Sequence, residues 1–452
     1  MQINANAGTP TVYRFSDEDR TMHEVCDKRA NEASRIDANK DGFLDDKEIE
    51  NHLRQSDIIE SGPRNTDVPQ FLRDYKTWLQ GKPLPQAASY HTYAQITERL
   101  QEMAVDHPNL CQLQSIGKTP EGRDIWALKI SSNAQGDTSQ KPGVVFTGNH
   151  HAREWMSMEV PLHLADELIH NYDKDPAIKN RVDNAEIWIM PSVNPDGYEY
   201  SRTEDSWWRK NRDPITNTEC PSDAKSCPTS AGANTPVAIG VDINRNYWDG
   251  NPDHFKLYRP DGDKPCNTGD DAGVVSDDPE SDTYRGPHGG SEPEVQAMMG
   301  FEYSRSNIKG IIDHHGYGEM LLRPWGGTET PPDNIAAYDE VGKRMQAAQS
   351  NPYRYMPAID LYPTTGTSTD MHQANGKLAF TIELGTSFQP PPSQFDKLNK
   401  NVSAADYAFL DYIIEKNPAT PPAPAPAPTP APEPPPAPVT TAPFHAHLAT
   451  VE

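Results

Sequence analysis

Residues 143 to 172 read GVVFTGNHHAREWMSMEVPLHLADELIHNY. GVVFTGN has the unbroken apolar character of a strand buried on both faces, and MSMEVPLHLADELIHNY then changes to helical spacing. The junction sets His151 and Glu154 at the carboxyl end of a buried strand, where open α/β sheets gather their ligands. Three residues apart with a turn between them, these two side chains can converge on one ion. A catalytic zinc takes about three protein ligands and keeps one position open for water, so a third ligand is expected from far away in the chain.

Working outward, short β-rich runs recur at DIWALKI (124–130), AEIWIMPSVN (185–194), KGIIDHH (309–315) and KLAFTIELG (377–385), with amphipathic segments such as SYHTYAQITERLQEMAVDHP (89–108) between them. This alternation predicts an α/β domain over residues 87–416, with a mixed, mostly parallel sheet flanked by helices. Residues 1–86 form a separate polar zone that ends in the linker-like LQGKPLPQAAS. Residues 417–452 are rich in proline and alanine, lack backbone donors and apolar bulk, and are expected to be an extended, disordered tail.

Composition narrows the function classes. Forty-one Lys and Arg against 66 Asp and Glu give a formal charge of −25, which argues against nucleic acid and anionic membranes as partners. No stretch approaches the length of a membrane-spanning helix, and the first twenty residues have neither the basic nor the apolar region of a secretory signal. Five cysteines do not make a zinc-ribbon or small disulfide framework; Cys220, Cys227 and Cys266 share one Asp- and Pro-rich region, while Cys26 and Cys111 read as core thiols. A calcium loop and a proline-rich tail suit an extracellular setting, yet no recognisable signal leads there.

That loop is DANKDGFLDDKE, residues 37–48. Asp37, Asn39, Asp41 and Asp45 fall at loop positions 1, 3, 5 and 9, Phe43 offers its carbonyl at 7, and Glu48 closes the shell at 12. Gly42 supplies the sharp turn at position 6, so the pattern matches an EF-hand for one Ca2+. No second such loop accompanies it, which favours a structural or docking module over a sensor.

The third zinc ligand has several candidates: His254, His288, His314, His315 and His372. KGIIDHHGYGEMLLRPWG is the best context, because an apolar strand delivers His314 and His315 to its end with side chains on opposite faces, so only one can reach the metal. Spacing alone does not choose between them.

From about Ser89 to Lys416 the sequence resembles the zinc carboxypeptidase family of the A, B and T type, through separated motifs in the expected order. HAREW resembles the first metal motif, implying His151 and Glu154 as ligands with His150 outside the shell and Arg153 as a substrate-binding residue, and HGYGEMLLRPWG resembles the block that supplies His315. The His2Glu ligand set is the one known for carboxypeptidase A. SWWRKNR implies Arg209 as the group that polarises the scissile carbonyl. GVDINRNY implies Asn244 and Arg245 as the grip on a terminal carboxylate, with Asp242 orienting a zinc-bound histidine from behind. LYPTTGTSTD provides Tyr362, similar to the mobile tyrosine that covers substrate, and FTIELG provides Glu383, similar to the catalytic glutamate. SDTYRGPHGGSEPEV (281–295) is similar to a family signature of structural use.

The resemblance implies a zinc-dependent carboxypeptidase that acts on peptide C-termini, with one catalytic Zn2+, and a monomer is expected. Gly326, Thr364 and Thr369 are expected to line the side-chain pocket, where the absence of an aspartate at the position used by basic-specific members favours neutral or hydrophobic C-terminal residues; Asp370 lies one position away. Two alternatives remain at this level: a peptidase of the same fold acting on cell-wall or other unusual peptide bonds, and a catalytically inert calcium-binding interaction protein. The N-terminal zone does not resemble the inhibitory prodomain of the digestive enzymes.

Overall fold

The computed structural model of the chain describes residues 85–216, 236–258 and 275–419, together with the backbone of three short strands, Gln2–Asn4, Val12–Arg14 and Phe43–Leu44. Of the expected calcium ligands only the Phe43 backbone falls within these limits; Asp37, Asn39, Asp41, Asp45 and Glu48 lie outside the described residues, as do the proline-rich tail from Thr420 and Cys26, Cys220, Cys227 and Cys266.

Eight strands form the central sheet: β1 (Cys111–Lys118), β2 (Asp124–Ile130), β3 (Gly143–Gly148), β4 (Glu186–Met190), β5 (Ile308–His315), β6 (Met320–Arg323), β7 (Arg354–Pro357) and β8 (Leu378–Glu383). Their order is β7-β6-β8-β5-β3-β4-β2-β1. The four central strands β8, β5, β3 and β4 are mutually parallel, and the antiparallel pairings join β6 to β8, β4 to β2 and β2 to β1. The expected mixed, mostly parallel sheet is therefore the observed one. Strands β1, β6 and β7 were not evident in the sequence; CQLQSIGK is half polar because β1 lies at the sheet's edge, while MLLR and RYMP hold only four residues each.

Every residue of β3 and β4 is buried, which explains their continuous rather than alternating apolar pattern. Successive side chains nevertheless go to opposite faces. Val144, Phe146, Ile312, Phe380 and Ile382 join one apolar cluster, whereas Val145, Ile311 and Ala379 join a second one on the other side. Helices α2 (Met156–His170) and α8 (Phe395–Lys416) contribute Val160, Leu164, Phe409 and Ile413 to the first cluster. Helices α5 (Pro293–Tyr303) and α7 (Ser368–Ala374) contribute Met298 and Met371 to the second. Each fully buried Leu, Ile, Val or Phe stabilises the fold by roughly 1.5–3 kcal/mol, so the two clusters fix which face each strand residue takes.

Local chemistry sets the helix starts. Helix α1 (Tyr93–Asp106) opens with a reciprocal capping box between Thr92 and Gln95. Asp175 and Asn194 cap α3 (Pro176–Asn184) and α4 (Pro195–Thr203), each followed by proline at the first helical position, where a missing N–H costs nothing. Helix α6 (Ile335–Ala348) packs against α8. No helix among the described residues is long and apolar enough to cross a membrane.

Candidate metal centre and active site

Strand β3 ends where its backbone passes under α2. A Cβ at Gly148 would lie 2.0 Å from the Ser157 carbonyl oxygen, so only glycine fits, and Asn149 follows with φ of 61°. This abrupt turn brings His151 and Glu154 to the sheet's carboxyl edge. Parity then sorts the histidine pair on β5. His314 has the parity of Ile312 and turns to the α8 side, where its Nε2 meets the Asp406 carboxylate at 3.1 Å and its Nδ1 the Thr147 carbonyl at 2.8 Å. His315 has the parity of Ile311 and turns to the opposite face, toward His151 and Glu154.

Three Lewis bases meet there. His151 Nδ1 lies 2.7 Å from Glu154 Oε1, His315 Nδ1 lies 3.0 Å from Glu154 Oε2, and the two Nδ1 atoms are 3.1 Å apart. All three residues are buried, and they form a group able to hold a metal ion. Facing lone pairs at such separations repel unless positive charge sits between them, and two imidazoles with one carboxylate is a donor set that suits zinc. The residues present therefore fit a bound Zn2+.

The carboxylate behind His151 fixes that ring. Asp242 Oδ1 meets His151 Nε2 at 3.2 Å and accepts from the Asn244 N–H at 2.9 Å, while Oδ2 accepts from Arg209 Nε at 2.9 Å. Burial would raise the Asp242 pKa, but the Arg209 guanidinium and His151 overcome it and hold the carboxyl well below the usual range. With Nε2–H given to Asp242, His151 presents Nδ1 as an acceptor toward the ion position. Glu154 is also held ionised: burial opposes this, and His151 and His315 outweigh it. Gly316 N–H adds a hydrogen bond to Glu154 Oε2 at 3.1 Å.

Arg209 is buried and reaches within 3.9 Å of Glu154 Oε1 through Nη1. Its segment is fastened to the metal motif by the Ala152 N–H, which donates to the Arg209 carbonyl at 2.9 Å, and by Asn194, whose amide donates to the His150 and Lys210 carbonyls. Asn244 Nδ2 lies 3.3 Å from His315 Nε2, and Asn244 Oδ1 accepts from the Ser368 N–H at 2.9 Å. Arg245 lies beside it, 5.9 Å from the ring centre of half-buried Tyr362. Glu383 ends β8 and is the direct register partner of His315. Arg153 is buried over the Phe388 ring and donates to Asp282 at 3.1 Å.

Glu292 and Glu294 accept from Asn211 Nδ2 at 2.7 and 3.1 Å, and Asn211 Oδ1 in turn accepts from the Val241 N–H at 2.7 Å, which anchors the GVDINRNY block. Both oxygens of Asp370 accept from the Gly326 N–H, at 3.1 and 2.9 Å, and burial pushes its pKa up to about 7.

The family described as zinc carboxypeptidase matches residues 96–405. The chain belongs to the zinc carboxypeptidase family. A zinc carboxypeptidase of Saccharothrix mutabilis subsp. capreolus is 33% identical over 337 residues, covering 72% of this chain and 69% of that protein. Carboxypeptidase A4 of Mus musculus is 30% identical over 302 residues, covering 66% of this chain and 62% of the mouse protein, less than two thirds of its length. The fold is shared with carboxypeptidase A from Helicoverpa armigera, at a TM-score of 0.58 and 24% identity over 72% of this chain and 74% of that one.

Sequence reading missed Asp313, which stands two residues before His315 on the same face of β5. It also missed that His150 and Thr147 meet Asp313, at 2.8 Å each. The i, i+2 spacing on a strand is the signal that finds Asp313 once His315 is chosen.

Proposed function

We propose that the protein is a zinc-dependent metallocarboxypeptidase that releases single residues from the C-termini of peptides. The observation that carries this reading is the convergence of His151, Glu154 and His315 at the edge of the sheet with Glu383 in register beside His315. When bound there, zinc supplies Lewis acidity toward a water and the scissile carbonyl. Glu383 takes the proton from the attacking water and passes it to the leaving amine. Arg209 donates to the carbonyl oxygen as negative charge develops on it. Asn244 and Arg245 receive the substrate's terminal carboxylate, since a planar guanidinium meets a carboxylate in a two-pronged fork. Tyr362 closes over the bound residue, and Arg153 contacts the peptide upstream.

The side-chain pocket formed by Gly326, Thr364 and Thr369 takes neutral or hydrophobic residues. Supporting this is the engagement of Asp370 with the Gly326 backbone, which leaves it committed to the wall rather than to a basic side chain. The catalytic domain spans residues 87–416, works as a monomer, and is preceded by a calcium-stabilised EF-hand module at residues 37–48, a reading that rests on the loop sequence alone. The region from 417 onward acts as an extended tail.

The test is incubation of the full chain with N-blocked dipeptides carrying free or amidated C-termini, with and without a zinc chelator, followed by mass analysis. Free amino acid is expected from the free-carboxylate series alone, is lost with chelator and returns on adding zinc. Absence of zinc-dependent release from every substrate removes the reading.

A further inference from the structure

His151 has a carboxylate behind it, Asp242, and the same question applies to the ring of His315. Two side chains approach His315 Nε2: Asp313 Oδ2 at 3.2 Å and Asn244 Nδ2 at 3.3 Å. The Asn244 amide is oriented by its Oδ1, which accepts the Ser368 N–H at 2.9 Å, so its nitrogen faces His315 as a donor. A donor cannot take the Nε2 proton. Asp313 can, and a ring that gives its Nε2–H to a carboxylate must present Nδ1 as an acceptor.

Asp313 is itself fixed. Its Oδ1 accepts from the Thr147 hydroxyl at 2.8 Å and lies 2.8 Å from His150 Nδ1, and the far side of His150 meets the Tyr247 hydroxyl at 2.9 Å through Nε2. The His150 and His315 rings stack at 5.4 Å with 21° between their planes. Asp313 and His150 are fully buried, so these contacts are not exchanged for water. His150 Nδ1 thus stands against this carboxylate at ion-pair distance but without hydrogen-bond geometry, and the adjacent histidine of the HHAREW motif is packed between Asp313 and the ring of the distant His315.

Resting on the metal site proposed above, we propose that Asp313, braced by His150 and Thr147, is a positioning residue for the metal: it fixes the tautomer and tilt of His315, so both histidines of the site are backed by buried carboxylates. His150, Asp313 and His315 also stand close enough to suggest a second ion position. The commitments of Asp313 to Thr147, His150 and His315 favour a brace over a ligand set.

The test compares wild type, Asp313→Asn and His150→Gln as full chains. Zinc affinity is measured by chelator competition, metal stoichiometry by elemental analysis, and the ligand field by the visible absorption of the cobalt-substituted proteins. The expected result is one catalytic-site ion per catalytic domain, zinc binding about 10- to 100-fold weaker in Asp313→Asn, a smaller loss in His150→Gln, and an altered cobalt spectrum in both. Should Asp313→Asn not fold, His150→Gln decides alone by the same readouts. Wild-type affinity and spectrum in the folded variants overturn the proposal while leaving the metal site standing, as does a second ion lost on His150→Gln. A wild type that binds no zinc overturns the underlying function as well.

Discussion

His315 and Glu383 are direct register partners on the adjacent parallel strands β5 and β8, so their side chains leave the sheet on the same face. Strand spacing is about 4.8 Å, which sets a carboxylate beside the histidine proposed as a metal ligand without either having to bridge a loop. Glu383→Gln preserves shape and removes the base. Its expected outcome is a fall in kcat of about 10^2- to 10^4-fold with zinc content unchanged, checked by steady-state assay and metal analysis side by side. Loss of zinc along with activity would show that Glu383 supports the site rather than the proton transfer.

Gly366 controls Arg245. With φ of 69° and a Cβ that would fall 2.1 Å from the Arg245 carbonyl oxygen, the position admits only glycine. Gly366→Ala must push the Arg245 backbone away, which is expected to raise KM for free-carboxylate substrates by about tenfold or more, as a charged hydrogen bond worth about 1.5–3 kcal/mol is weakened. Comparison of free and amidated dipeptides reads the effect, and an unchanged preference between them would count against the assigned role of Arg245.

Asp242 serves two buried partners, His151 and Arg209. Asp242→Asn is expected to weaken zinc binding by about 10- to 100-fold, because the His151 ring loses its charged acceptor. It also leaves Arg209 without its buried counter-charge, a change that typically costs about 3–5 kcal/mol. Chelator competition and denaturant unfolding separate the two losses.

Asp370 gives the fold a pH signature. Its folded pKa, raised by burial to about 7 from the ordinary 3.8, means that the native state holds a proton which the unfolded chain has released. The stabilisation is full below the unfolded value and is lost as pH rises through about 7, on the order of a few kcal/mol in total. Asp370→Asn carries no such charge. Its melting temperature relative to wild type is expected to rise between pH 5 and pH 8, and a constant difference across that range would refute the assignment.

How far the sequence reached can be judged at particular residues. GVVFTGN, EIWIM and KLAFTIE were legible as strands because parallel strands buried on both faces are mostly apolar, and DIWALKI, antiparallel to both neighbours, because it is short and rich in β-formers. MLLR and RYMP were not, because four residues carry no period; only pairing with β8 and with each other makes them strands. His151 and Glu154 were legible as a candidate pair because their spacing is local, separated by one turn. His315 needed the family resemblance, because two adjacent histidines at a strand end look alike until something decides which face is which.

The sequence by itself determined the alternation of buried strands and amphipathic helices, the candidate ligand pair in HAREW, the unfavourable charge for nucleic acid, and the likeness to one enzyme family. These are properties of neighbours along the chain, set by apolar period, spacing and composition. Tertiary structure alone decided that His314 goes to Asp406, that Glu383 lies in register with His315, and that Asp313 stands between His150 and a ring 165 residues further along the chain from it. The physical reason is the strand's two-residue period: packing against α8 on one side and against α5 and α7 on the other settles the face of every residue at once, and no local pattern holds that information.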